Sequence, residues 1–241
     1  MSRPPVILIH GAANSSGVWR FWQEHLAARG WPSYALDLRG HGESAALDLA
    51  DVGMADYAAD VLSVVRDLRE PPVLLGWSMG GLVGMMAAEP ARALACVGLA
   101  PSVPARRTDP SVPIRRGTFG PEEYGIVDRH QRDQPTMPDL DDEERRLALA
   151  ALGGESRRAR DERTAGVVIT GLPCPCLIVT GGADAQWPPA RYASLPLTAD
   201  HRTIDGASHW GLVLSRRALA VAGPVVLSWL ESRLSGRESP G

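Results

Sequence analysis

Val73-Leu74-Leu75-Gly76-Trp77-Ser78-Met79-Gly80-Gly81 carries a short apolar run into Gly-x-Ser-x-Gly, and the helix-like run Leu82 to Ala88 follows at once. An apolar strand that turns sharply into a helix can hold a serine at its tip in a strained backbone conformation. The residues two positions either side must be small, because strand and helix pass close to them; here they are Gly76 and Gly80. The first N–H groups of the helix then point, unpaired, at any negative charge that forms beside Ser78. Gly-x-Ser-x-Gly alone recurs by chance. The rest of the chain has to decide between a nucleophile and a glycine-rich turn.

Val6-Ile7-Leu8-Ile9 is apolar throughout, as suits a strand buried on both faces, and runs into the small polar loop His10–Gly17. Val18 to Arg29 has Trp19, Trp22 and Leu26 on one stripe, which predicts a helix ended by Gly30. Ser33-Tyr34-Ala35-Leu36 reads as a second strand, followed by the two-glycine turn Asp37-Leu38-Arg39-Gly40-His41-Gly42-Glu43-Ser44. Met54 to Leu68 is amphipathic at helical spacing and is stopped by Pro71-Pro72. Leu94 to Leu99 is a further apolar strand.

Regular alternation resumes at Cys176-Leu177-Ile178-Val179-Thr180, followed by Gly181-Gly182-Ala183-Asp184. A short helix is expected over Pro189 to Leu195, and a strand around Arg202-Thr203-Ile204 leads into Gly206-Ala207-Ser208-His209-Trp210. The last helix is expected over Arg217 to Leu234. Strands alternating with helices, most strands apolar, predict an α/β fold: a mostly parallel sheet of about six strands with helices on both faces.

Residues 101–166 break this pattern. They are rich in Pro, Arg, Asp and Glu, and too long for a plain loop. Only Asp141 to Leu152 reads as a firm helix, with an acidic first turn that suits the helix dipole. The expectation is a core built from 1–100 and 167–241, with a small helical cap inserted at 101–166 whose arginines are mostly solvated.

Bulk properties narrow the function. A chain of 241 residues, 44% of them hydrophobic, can bury a sizeable core, and a net charge of −3 gives no electrostatic case for nucleic acid. All 25 basic residues are arginine, which excludes Schiff-base, pyridoxal-phosphate and P-loop lysine chemistry. Cys96, Cys174 and Cys176 form no disulfide framework; Cys174 and Cys176 read as buried strand residues. No His/Asp cluster has metal-ligand spacing, and no metal or cofactor is expected. No secretory signal and no membrane-spanning run is apparent, so the expectation is a cytoplasmic protein. The sequence is silent on oligomeric state.

In parallel sheets, function gathers where the strands end. Four marked loops lie there: His10–Gly17, Gly76–Gly80, Gly182–Asp184 and Gly206–His209. A serine hydroxyl needs a base, and the base an orienting acid. His209 follows the last strand and is the expected base; Asp184 is the expected acid. His10 and His41 precede glycines in turns and read as structural, His25 lies in a helix, His201 at a strand start, and His130 in the cap. An oxyanion would be met by the backbone N–H groups of Met79 and, from the first loop, Ala12. Trp77, Trp187 and Trp210 are candidates to wall an apolar pocket, whereas Trp19 and Trp22 read as core.

The order Ser78, Asp184, His209 resembles that of α/β-hydrolase-fold proteins of the esterase–lipase–thioesterase kind. The matching pieces are His10-Gly11-Ala12, the Asp37 to Ser44 turn, Gly76 to Gly81, Gly181 to Asp184 and Gly206 to His209. The sequence begins at the strand carrying His10-Gly11, so the family's first two strands are not expected in it, and in this it resembles plant methylesterases and hydroxynitrile lyases. The serine at the turn sets it apart from haloalkane dehalogenases and epoxide hydrolases, which carry aspartate there. The resemblance implies a serine hydrolase acting on a small ester, lactone or thioester. Two alternatives stay open: a thioesterase or acyltransferase on a carrier-bound chain, and a slow-turnover ligand-binding sensor. A hydroxynitrile-type lyase would also need a pocket lysine, and the chain has none.

Overall fold

The computed structural model describes residues 3–44, 48–126 and 134–235. His130 lies outside the described residues. The elements in chain order are β1 (Val6–Ile9), α1 (Arg20–Ala27), β2 (Ser33–Leu36), α2 (Met54–Val65), β3 (Val73–Trp77), α3 (Met79–Ala87), β4 (Ala95–Leu99), β5 (Thr118–Phe119), α4 (Asp142–Ala150), β6 (Glu155–Ser156), α5 (Arg157–Ala165), β7 (Cys176–Gly181), β8 (Asp200–Ile204), α6 (Gly211–Leu214) and α7 (Arg216–Leu234). Six strands form one sheet in the order β2-β1-β3-β4-β7-β8, every pairing parallel.

Alternation along the strands sorts the core into two layers. Val6, Leu8, Val73, Leu75, Val97, Leu177 and Val179 face Trp19, Trp22, Leu26, Leu212, Val226 and Leu230 from α1, α6, α7 and the turn before α1. Ile7, Ile9, Leu74, Cys96, Cys176 and Ile178 face Met54, Tyr57, Val61, Leu82 and Val83 from α2 and α3. Helices on both faces explain why the central strands read as unbroken apolar runs. From β1 the chain crosses to β2 on one side and returns to β3 on the other, so the strand order reverses between β1 and β3. The crevice at the carboxyl ends of that pair is where such sheets bind ligands.

Some expectations shift. The Val18–Arg29 helix opens as a one-turn 3-10 segment, Ser16–Trp19, and becomes α-helical only from Arg20. The Pro189–Leu195 helix is a 3-10 turn, Pro189–Tyr192. Cys174 is buried but sits in a bend before β7, not in a strand; Pro175 separates it from the ladder. Within residues 101–166 lie α4, α5 and a two-strand antiparallel pair, β5 with β6. Asp141 caps α4 by accepting from the N–H groups of Glu143 and Glu144. Several arginines here are not simply solvated: Arg115 holds Asp161, Arg158 holds Glu162, and Arg157 and Arg160 share Glu123. No helix among the described residues is long and apolar enough to cross a membrane.

Candidate active site

Ser78 stands between β3 and α3 with φ 54° and ψ −119°, a conformation non-glycine residues avoid. Packing holds it there. A Cβ on Gly76 would lie 2.2 Å from the Gly80 carbonyl oxygen, and one on Gly80 would lie 2.1 Å from that of Ile9. The Ser78 N–H donates to the Leu99 carbonyl at 3.0 Å, and its carbonyl accepts from Ser102 N–H at 2.8 Å. The strain is therefore fixed by two neighbouring strands and a close helix.

His209 follows β8 and is almost fully buried, as is Asp184 after β7. The His209 Nδ1 to Asp184 Oδ2 distance is 2.8 Å. The other Asp184 oxygen accepts from the N–H groups of Gln186 (3.0 Å) and Trp187 (2.7 Å). Burial opposes the charge of Asp184, but the His209 contact and the two N–H donors outweigh it and hold the carboxyl below the usual aspartate range. An anionic Asp184 keeps the proton on Nδ1 and leaves Nε2 free to act as a base. Trp77 Nε1 donates to the His209 carbonyl at 3.0 Å, and its ring lies 5.1 Å from the imidazole and 4.9 Å from Trp210.

Ser78, His209, Ala12, Trp77, Trp187 and Trp210 line one pocket of about 60 Å³. Among the described residues the Ser78 hydroxyl makes no hydrogen bond to His209; such contacts are commonly loose without substrate. Nor do the N–H groups of Met79 and Ala12 meet an acceptor there, which leaves both available as donors. Met79 opens α3, where N–H groups have no intrahelical partner.

His10 and His41 stand outside the pocket lining, in a buried polar seam behind the first loop. His10 Nδ1 faces the Gly11 carbonyl at 2.8 Å, while Nε2 accepts from Leu38 N–H at 3.1 Å. Burial and the nearby His41 push its pKa down to about 4, so it is neutral. His41 Nε2 lies 3.6 Å from Glu155 Oε2, an ion-pair contact too long for a hydrogen bond. Burial works against a charged His41, but Glu155 outweighs it and raises the pKa.

Several lining residues escaped the sequence reading: Ala13, Asn14, Tyr124, Ile126, Leu152, Arg163 and Gln186. So did Glu155, which accepts from Ala13 N–H at 3.0 Å and thereby braces the loop that carries Ala12. Asn14 lies in a marked loop, and Leu152 ends the helix expected over Asp141 to Leu152; Tyr124, Glu155 and Arg163 belong to stretches with no apolar period to betray an inward face. Among the described residues no group of three or more His, Cys, Asp or Glu side chains is arranged to hold a metal ion.

The sequence model of the alpha/beta hydrolase family matches residues 6–223. The chain belongs to that family. Similar solved structures of the same fold include polyneuridine aldehyde esterase, at 19% identity and TM-score 0.73, covering 94% of this chain and 99% of that one. A monoacylglycerol lipase of Paleococcus ferrophilus matches at 20% identity and TM-score 0.68, covering 97% of each chain. An Arabidopsis methylesterase matches at 19% identity and TM-score 0.68, covering 94% of this chain and 99% of that one. In this alpha/beta hydrolase the Ser78 turn follows β3 directly and so lies at the switch point between β1 and β3.

Proposed function

We propose that this alpha/beta hydrolase is a serine ester hydrolase that works through an acyl-enzyme. The observation that carries the reading is the His209–Asp184 pair, 2.8 Å apart, on the same pocket as a serine held in a strained turn. Ser78 Oγ attacks the ester carbonyl while His209 Nε2 takes its proton. Asp184 stabilises the resulting imidazolium. The N–H groups of Met79 and Ala12 receive the oxyanion. The tetrahedral intermediate collapses, the C–O bond to the alcohol breaks, and His209 returns the proton to the leaving oxygen. Water, deprotonated by His209, then attacks the acyl-enzyme and releases the acid and Ser78.

Esterase, lipase and methylesterase are the names borne by the similar structures, which supports the bond class. Residues 101–166 are proposed to act as a cap, since Tyr124, Ile126, Leu152 and Arg163 contribute to the pocket wall. The pocket's 60 Å³ amounts to about four waters at ~15 Å³ each, which favours a short acyl group. Hydrolysis of p-nitrophenyl acetate, butyrate and octanoate by wild type and Ser78→Ala tests the proposal. The expected result is a preference for the short chains and a loss of roughly 10⁴-fold or more in kcat in the variant. Turnover by Ser78→Ala close to wild type would refute it.

A further inference from the structure

Arg163, on α5, lines the pocket beside Ser78 and also an adjoining hollow of about 320 Å³. It is half-buried. Its Nη2 donates to the Tyr124 hydroxyl at 3.1 Å, and its Nε makes a long contact of 3.4 Å with the Ala159 carbonyl. Among the described residues no carboxylate lies within ion-pair distance of it. The neighbouring Arg115, Arg157, Arg158 and Arg160 all hold carboxylates.

The buried carboxylate whose field reaches Arg163 is already committed. Glu155 accepts from Tyr57 Oη at 2.5 Å, Ser156 N–H at 2.7 Å and Ala13 N–H at 3.0 Å, and faces His41. It exerts a field on Arg163 but gives it no bond. Across the hollow, Arg191 stacks its guanidinium 4.4 Å from the Trp187 ring centroid, again with no carboxylate partner among the described residues. Arg160 completes the wall and shares Glu123 with Arg157. The hollow thus carries an excess of positive charge and shares Arg163, Tyr124 and Trp187 with the wall of the Ser78 pocket.

A partly desolvated guanidinium without a counter-ion is unfavourable, and its planar fork matches an oxyanion with two acceptor oxygens. We propose that the substrate is an anionic ester, and that Arg163 binds its carboxylate or phosphate in this hollow while Ser78 attacks the carbonyl next door. The proposal rests on the ester-hydrolase reading of the same site.

The test compares matched ester pairs. For an anion on the acyl side, the pair is p-nitrophenyl valerate and mono-p-nitrophenyl glutarate. For an anion on the leaving group, phenyl acetate is set against para-acetoxybenzoate and para-acetoxyphenyl phosphate, which also separates carboxylate from phosphate. In wild type, at least one anionic ester is expected to exceed its neutral partner about tenfold or more in kcat/KM, mainly through KM, as suits a charge-assisted contact. Arg163→Met is expected to remove most of that ratio, and Arg163→Lys to restore part of it. A purely structural role for Arg163 would move both members of a pair alike and leave the ratio unchanged; that result, or ratios near unity in wild type, overturns the proposal. If no ester is cleaved at all, the hydrolase reading fails. Calorimetric binding of benzoate and phenyl phosphate, against benzamide, then judges the anion site alone: it is upheld if the variant with an intact circular dichroism spectrum binds about tenfold more weakly, and lost if wild type binds neither anion.

Discussion

Glu155→Gln exchanges a buried carboxylate for an amide of almost the same shape, at a point where the 101–166 segment meets the loop that carries Ala12. Both carboxylate oxygens serve as acceptors. Oε1 receives the Tyr57 hydroxyl and Ser156 N–H; Oε2 receives Ala13 N–H and faces His41. Whichever way the amide turns, its NH2 confronts a backbone N–H. A buried donor left without an acceptor costs about 1–3 kcal/mol, and loss of the charge facing His41 adds to this. Burial opposes ionisation of Glu155, but His41, the nearby Arg163 and the Tyr57 hydroxyl outweigh it and hold the pKa at about 2 against an ordinary 4.5. At 1.36 kcal/mol per unit, that depression corresponds to about 3 kcal/mol of stability above pH 4.5, lost as pH falls toward 2. His41 acts in the opposite sense: with its pKa raised above 6.5, its contribution is complete below that pH and lost as pH rises past the raised value. The expectation for Glu155→Gln is a loss of about 2–4 kcal/mol near neutrality, or roughly 5–12 °C in Tm for a domain of this size. The variant should lose part of the wild type's weakening between pH 4.5 and 2, and its kcat should fall about tenfold as Ala12 loses its brace. Thermal unfolding by circular dichroism from pH 3 to 9, with kcat on p-nitrophenyl butyrate, measures both. An unchanged Tm and an unchanged acid limb would refute the assigned role of Glu155.

Gly80→Ala places a Cβ 2.1 Å from the Ile9 carbonyl oxygen and 2.3 Å from that of His10, so at least about 3 kcal/mol should be lost in urea unfolding, or no folded protein recovered. Wild-type-like unfolding would contradict the packing argument. Asp184→Asn keeps the shape but favours the wrong imidazole tautomer; kcat should fall by roughly 10³–10⁴-fold with intact folding, and a loss below tenfold would remove Asp184 from its role. Trp210→Ala opens the wall beside Trp77 and should widen acceptance toward longer or bulkier esters; an unchanged selectivity series would remove Trp210 from the specificity wall.

The readable parts of this chain were those where the backbone dictates the residue. Gly76 and Gly80 are required by atoms at 2.2 and 2.1 Å, and the apolar strands β1, β3 and β7 by burial on two faces. His209 and Asp184 stand out because each follows a strand in a glycine-containing loop, and their side chains meet at 2.8 Å. Helix α5, Arg-Arg-Ala-Arg-Asp-Glu-Arg-Thr-Ala, was illegible because its buried face is only Ala159, Asp161 and Ala165, with Asp161 kept inside by Arg115. Glu155 reads as a solvated charge in a glycine-rich stretch. What buries it are partners 98 and 142 positions away in the chain, Tyr57 and Ala13. Arg163 is hidden for the same reason: nothing local separates it from Arg157, Arg158 and Arg160, which hold carboxylates.

The proposed acyl-enzyme route requires that Ser78 becomes acylated. Stopped-flow mixing with p-nitrophenyl acetate, followed by intact-protein mass spectrometry of quenched samples, tests it most directly. A burst approaching one nitrophenol per enzyme is expected, with an acetyl group mapped to Ser78, and neither in Ser78→Ala. Steady turnover with no acetylated Ser78 at any quench time, or an equal burst from Ser78→Ala, would contradict it.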